Sequence, residues 1–147
     1  MTGMPPSVVM RRLPELVAGF ATGAPDVAVG DLTLDSREVR AGSLFLACRG
    51  TKQHGLDFLP QALAKGAGAL LWEPAPGVAL PPASIPAFPV EGLSRRVGEI
   101  AARFFGHPSR ALHTVGITGT DGKTSTAWLV AQALDALGEA GLDVGPL

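Results

Sequence analysis

A chain of 147 residues is long enough for one ordinary domain, and with 46% hydrophobic and 17% charged residues it can bury a core. Its formal net charge of -1, with twelve scattered Lys and Arg, excludes the broad basic field that holds nucleic acid. No stretch approaches the ~18 apolar residues of a membrane span, no basic segment opens the chain, and a lone cysteine, Cys48, fits a reducing cytoplasm.

From Ser7 to Ala18 the apolar residues Val8, Val9, Leu13, Leu16 and Val17 recur at helical spacing, with Pro14 set to limit or bend that helix. The doublets Arg11–Arg12 and Arg95–Arg96 fall in helical stretches and read as solvated faces. Short strands are expected around Val27–Val29, Leu32–Leu34 and Leu44–Cys48, with Gly42 and Ser43 marking the turn before the last. Cys48 closes an apolar run and reads as a buried structural thiol, since nothing nearby would lower its pKa. Asp57 is placed to cap a helix through Lys65, stopped by Gly66, and Ala69–Trp72 reads as a buried strand. Strand, helix, strand in that order predicts a crossover and at least one parallel pair.

Five of the thirteen prolines lie between 73 and 86, which predicts a surface loop, and Phe88–Val90 follows as a short strand. Ser94 is placed to cap a helix with Val97, Ile100, Ala101, Phe104 and Phe105 on one face, ending at Gly106. His107-Pro108-Ser109 reads as a hinge between residues 1–110 and 111–147. A strand over His113–Thr118 then passes through Gly119-Thr-Asp-Gly122 into a helix from Lys123 to about Leu137. One strand and one helix within residues 111–147 cannot cover both faces of a parallel sheet, so this second domain is expected to be cut short and less ordered.

The junction between that strand and helix carries chemistry. Glycines let a backbone approach an anion and turn several N–H groups toward it, and a helix N-terminus adds roughly half a positive charge. Gly119, Thr120, Asp121, Gly122, Lys123, Thr124 and Ser125 therefore form a candidate triphosphate cradle. Lys123 would reach the β- and γ-phosphates and serve catalysis, and the Thr124 hydroxyl would ligate Mg²⁺. The match to G-x-x-x-x-G-K-[ST] is not strict, because its first position falls on Ile117. A generic phosphate-loop NTPase remains a competing reading of the loop alone.

Two sets of residues then coincide. Thr118-Gly-Thr-Asp-Gly-Lys-Thr124 resembles the phosphate loop of Mur ligases. Thr33-Leu-Asp-Ser-Arg37, Gly42-Ser-Leu-Phe-Leu-Ala47, Gly50, Phe58, Ala62 and Gly66-Ala67 resemble the N-terminal domain of the MurE type, and Arg103–Ser109 resembles that family's junction before its ATPase domain. The resemblance implies an α/β fold: a small domain with a mixed sheet over residues 1–110, binding a uridine-nucleotide substrate, then the first β–loop–α unit of a P-loop ATPase domain over 111–147. It implies ATP-dependent addition of the third amino acid, meso-diaminopimelate by family frequency, to UDP-N-acetylmuramoyl-L-alanyl-D-glutamate. In that reaction ATP phosphorylates a substrate carboxylate and the amine of a diamino acid attacks the acyl phosphate. By the same resemblance Leu34, Ser36, Thr51, Lys52 and Gln53 contact the sugar nucleotide.

Two departures stand out. Asp121 replaces the family's usual Asn and sets another negative charge beside a triphosphate, and Thr51-Lys-Gln-His54 differs from the His-Gln-Ala-Asp form of some relatives. Asp35 and Arg37 read either as ligand contacts or as a structural ion pair. His54, His107 and His113 lack metal-ligand spacing, and Trp72 and Trp128 read as fillers of core or inter-element gaps. A MurF-type ligase and a non-catalytic uridine-nucleotide-binding remnant are the alternatives. The rest of the family's active site lies beyond this span, so the fragment alone is expected to be inactive.

Overall fold

The structure, a computed structural model, describes residues 9–79, 81, 84–111 and 115–136. It divides into two units, Met1–Ala111 and Leu112–Leu147. In the first, the elements are β1 (Arg11–Arg12), α1 (Leu13–Val17), β2 (Ala28–Val29), β3 (Asp31–Thr33), β4 (Ser43–Ala47), α2 (Leu59–Ala64), β5 (Ala69–Trp72), β6 (Ala87–Pro89) and α3 (Leu93–Phe104). In the second, α4 spans Lys123–Ala136.

Strands β3-β4-β5-β6 form one parallel sheet in chain order, and β1 and β2 form a separate antiparallel pair. The fold is α/β, with the parallel and antiparallel pairings in different sheets. Every residue of β4 and β5 is buried, which a parallel strand covered on both faces requires. Alternation along these strands divides the core in two. Leu44, Leu46, Ala69 and Leu71 pack with Leu13, Leu16 and Val17 of α1 and Leu93, Ile100 and Phe104 of α3. Phe45, Ala47, Leu70 and Trp72 face the other way, onto Leu59 and Ala62 of α2. Each fully buried Leu or Phe contributes about 1.5–3 kcal/mol, so β4 and β5 carry the largest share of the unit's apolar stabilisation.

Helix α3 buries Leu93, Ile100 and Phe104, with Val97 packed partly against the same cluster, at the spacing of a single helical stripe. Arg103 ties it to α1: its Nη1 donates to the carbonyl of Ala18 at 2.7 Å and that of Leu16 at 3.1 Å. The α3 terminus is closed by two successive left-handed residues, Gly106 (φ 77°) and His107 (φ 55°). At the end of α2, Gly66 (φ 90°) acts the same way, as the sequence leads one to expect.

Several local expectations need correction. Arg11–Arg12 is strand, not helix, because Arg11 and Arg12 pair with Val29 and Ala28. Arg11 Nε donates to the Phe104 carbonyl at 3.0 Å, and Arg12 pairs with Asp26 at 2.7 Å. Helix α1 is therefore only five residues long, starting beside Pro14. Asp57 is not the cap of the following helix: a 3₁₀ turn over Gly55–Phe58 precedes α2, His54 caps that turn, and Asp57 accepts from the His54 amide in return. Gly92, not Ser94, is the cap of α3, and Ser94 turns to Glu73 instead. Phe105 lies past the end of α3 and is 63% exposed, so it leaves the apolar face assigned to it. In the second unit Val115–Thr118 has no strand, since no neighbouring strand satisfies its backbone among the described residues, and His113–Thr114 lie outside them. Trp128 fills no core: it is 59% exposed on α4.

Candidate functional site

Because β3 to β6 are parallel, their carboxyl ends share one edge of the sheet. The loops leaving it carry Leu34–Arg37 after β3, Cys48–His54 after β4, Glu73 after β5 and Val90–Gly92 after β6. In open parallel sheets ligands bind outside this edge. The sequence-predicted residues of the first unit all fall on the first two of these loops.

After β3, Leu34 is exposed while Ser36 is buried, and the Ser36 hydroxyl donates to Gln61 Oε1 of α2 at 2.6 Å. Asp35 and Arg37 form an ion pair at 2.6 Å, and Asp35 Oδ1 also accepts from the Arg37 amide at 2.8 Å. The side-chain hydrogen bond from Arg37 is the largest influence holding the Asp35 carboxyl down at about 2. The same bond raises the Arg37 guanidinium. Lys65 Nζ donates to the Arg37 carbonyl, so this loop is tied to the end of α2 from two sides.

After β4, Arg49 and His54 form an isolated antiparallel bridge, and the Gly50 amide donates to the Gln53 carbonyl at 3.1 Å. Thr51, Lys52 and Gln53 stand exposed on the tight turn this creates. Gly50 has no room for a side chain, since a Cβ would lie 2.5 Å from the Gln53 carbonyl oxygen. The His54 ring closes the turn: Nδ1 accepts from the Leu56 amide at 3.1 Å, which places the proton on Nε2, 2.9 Å from the Glu73 carbonyl.

Sequence reasoning missed Glu73. This buried carboxylate accepts from the Arg49 amide at 3.1 Å, the Ser94 amide at 3.2 Å and the Ser94 hydroxyl at 3.2 Å. Burial opposes its charged form, but the hydrogen bonds from Arg49 and Ser94 and the nearby His54 outweigh it and leave the pKa lowered. A cleft of ≈ 620 Å³ opens over it, lined by Arg49, Gly50, Thr51, Gly92, Ser94 and Arg95. Thr51 is the one predicted contact residue on its wall. A second, more apolar cleft of ≈ 500 Å³ lies by Gly30, Asp31 and Gly42, at the amino ends of β3 and β4, and includes none of the predicted residues.

In the second unit Gly119–Ser125 is exposed throughout. Gly122 is left-handed (φ 73°) immediately before Lys123, the first residue of α4. Lys123 Nζ folds back over the loop, donating to the Gly119 carbonyl at 2.5 Å and the Thr120 carbonyl at 3.3 Å. Thr124 and Ser125 occupy the first turn of α4. An exposed glycine turn feeding a helix N-terminus fits a phosphate chain. Thr124 brings a hydroxyl that could meet a Mg²⁺ at the start of α4, and no cluster of three or more His, Cys, Asp or Glu is present among the described residues.

Comparison with known proteins bears on the family and the fold. The chain is 50% identical over 120 residues to the UDP-N-acetylmuramoyl-L-alanyl-D-glutamate–2,6-diaminopimelate ligase of Pseudomonas putida, a match covering 82% of this chain and 24% of that protein. The chain thus spans about a quarter of the length of the curated relatives it matches. A crystal structure of MurF from Acinetobacter baumannii superposes with a TM-score of 0.63 over 87% of this chain and 28% of that one; at 22% identity this bears on the fold alone. The MurF ligase of Thermotoga maritima in complex with ADP is 30% identical, with a TM-score of 0.52 over 72% of this chain and 23% of that one. The model described as "Mur ligase family, catalytic domain" matches residues 29–105, which take in the whole parallel sheet and α3 and stop short of the glycine loop. With just over half its length inside that match, the chain belongs to the Mur ligase family.

Proposed function

We propose that this span is part of a MurE-type ligase, with residues 1–110 binding the UDP-N-acetylmuramoyl dipeptide and residues 111–147 opening the ATP-binding domain. The observation that carries the reading is the 50% identity to a diaminopimelate-adding ligase. Its 120 aligned residues exceed the length of the first unit, Met1–Ala111, so the likeness runs through the junction into the second. The ADP complex of a MurF ligase supports a nucleotide at the glycine loop, and curated relatives at 48–50% identity that are named as diaminopimelate-adding ligases favour the MurE over the MurF assignment.

In this reading Leu34, Ser36, Thr51, Lys52 and Gln53 meet the sugar nucleotide at the carboxyl edge. Gly119 to Ser125 hold ATP through backbone amides at the start of α4. Lys123 exchanges its two carbonyl partners for phosphate oxygens, and Thr124 offers its hydroxyl to Mg²⁺. ATP supplies the activation that makes a substrate carboxylate an acyl donor toward the amine of a diamino acid, meso-diaminopimelate by preference. Such chemistry belongs to the cytoplasm, and no described helix is long and apolar enough to cross a membrane.

Calorimetric titration of the 147-residue chain with UDP-N-acetylmuramoyl-L-alanyl-D-glutamate tests the substrate half. Binding that Ser36→Ala abolishes is the expected result. Absence of any heat, or binding indifferent to Ser36, overturns it, and preference for the corresponding tripeptide would select the MurF type.

A further inference from the structure

The loop expected to contact the sugar nucleotide is six residues long, Arg49–His54, and both of its ends meet the same residue. Its first amide, that of Arg49, donates to the Glu73 carboxylate at 3.1 Å; its last side chain, His54, donates through Nε2 to the Glu73 carbonyl at 2.9 Å. Glu73 itself follows β5 directly, and its amide donates to the Ala47 carbonyl of β4 at 3.1 Å, which extends the sheet by one rung. The carboxylate also binds the Ser94 amide and hydroxyl, so the first turn of α3 is joined to the same point. No other buried acid stands among the described residues, and no apolar side chain could accept three donors at once. A carboxylate beneath a cleft flanked by Arg49 and Arg95 also opposes anion binding by its own charge, so accepting those donors, not attracting a ligand, accounts for an acid here.

We propose that Glu73 is a positioning residue for the sugar-nucleotide substrate: its carboxylate and carbonyl hold both ends of the Arg49–His54 loop, and through it Thr51, Lys52 and Gln53, in the geometry that meets the ligand. The proposal rests on the substrate reading above for its ligand, but the anchoring itself is independent of that reading. It separates Glu73 from the residues that touch substrate, and it makes His54 the second half of the clamp. Its ring reaches both the Leu56 amide and the Glu73 carbonyl from one position.

Two measurements on the 147-residue chain decide it. Hydrogen exchange reads the anchoring without any ligand: in Glu73→Ala the amides of Arg49, Gly50 and Gly55 should exchange about tenfold faster, while those of Leu70 and Leu71 keep their protection. Titration with UDP-N-acetylmuramoyl-L-alanyl-D-glutamate reads the consequence. Glu73→Ala should bind about tenfold more weakly, and Glu73→Gln should stay within about threefold of the parent, because its amide oxygen still accepts from both backbone N–H groups. The losses from Glu73→Ala and Thr51→Ala should be less than additive, since one acts through the other. Should Glu73→Ala fail to fold, Glu73→Asp, which keeps the charge but withdraws the carboxylate by one methylene, takes its place. Unchanged loop exchange, parental affinity in a folded variant, or strictly additive losses each overturn the proposal. A parent chain that does not bind the ligand would instead overturn the substrate reading, leaving exchange to judge the anchor.

Discussion

Gly55 offers a sign test of how tightly the β4 loop is built. It follows His54 and opens the 3₁₀ turn, and a Cβ added there would lie 2.6 Å from Ala47 Cα, 2.8 Å from Ala47 C and 2.9 Å from the Cys48 amide nitrogen. All three are backbone atoms at the end of a strand hydrogen-bonded on both sides, so no side-chain rotation relieves the overlap. Overpacking of this kind costs about 1–3 kcal/mol. The Gly55 backbone is not left-handed, so the substitution also removes unfolded-state freedom and recovers about 0.4–1 kcal/mol. Gly55→Ala should therefore destabilise by about 1–2 kcal/mol, lowering Tm by roughly 4–15 °C for a unit of this size. Gly98 is the control: it is exposed inside α3 with no atom within 4 Å of an added Cβ, so Gly98→Ala should stabilise by about 0.5–1 kcal/mol. Thermal and urea unfolding followed by circular dichroism read both. A Gly55→Ala chain as stable as the parent would show that the loop does not pack on β4 as described.

Asp35, held at about 2 chiefly by the side-chain hydrogen bond from Arg37, should titrate there by carbon-detected NMR and move back toward 3.8 in Arg37→Ala. Its depressed pKa stabilises the fold above the unfolded carboxyl value of about 3.9, and that contribution fades as pH falls through about 2; a midpoint indifferent to Arg37 contradicts the pair. Cys48 is pushed up to about 11, first by burial and then by the charge of Glu73. At pH 7.5 iodoacetamide should therefore label it about a hundredfold more slowly than an ordinary thiol, and rapid labelling would refute the burial. Leu71, fully buried between α1 and α3, should cost about 2–5 kcal/mol as Leu71→Ala, measured by urea unfolding; a loss below about 1 kcal/mol would mean that this face is not packed.

The long apolar runs of the parallel sheet were legible because burial on both faces leaves no polar alternative: Leu44–Ala47 and Ala69–Trp72 appear as strands within a residue of where the sequence puts them. The stripe of α3 was legible for the same reason, at helical period. What escaped was set by partners distant in sequence. The two-residue strand β1 carries no periodicity, and its pairing with β2 depends on a return of the chain after α1. Ser36 and Gln61 are 25 residues apart, and nothing local marks Gln61 as a partner. Histidine at a cap follows no strong preference, so Asp57, a better capping residue by type, drew the assignment three residues late. Glu73 had one usable signal: a charged residue set directly after Ala-Leu-Leu-Trp, at the end of a buried parallel strand, must be satisfied there or exposed. Its three donors come from residues 49 and 94, which only the fold brings together.

The two candidate ligand regions differ in how much of their geometry is already enforced. At the carboxyl edge, Ser36 is held by Gln61, Asp35 by Arg37 and the Arg49–His54 loop by Glu73, so a ligand meets groups whose ordering cost has largely been met by folding. On α4 the opposite holds: Gly119–Ser125 is exposed, Lys123 is engaged with carbonyls of its own loop, and Trp128 and Leu129 are each 59% exposed. A 14-residue helix with so little buried is marginal in water, because most helical stability in proteins comes from packing of an apolar face. ATP would then have to order the turn, displace Lys123 and accommodate Asp121 in one step, while the sugar nucleotide need only displace water. Titration of the 147-residue chain should accordingly detect the UDP-muramoyl dipeptide and give no measurable heat with millimolar MgATP. Saturable ATP binding by this chain, lost in Lys123→Ala, would show that residues 115–136 are preorganised to a degree their exposure contradicts.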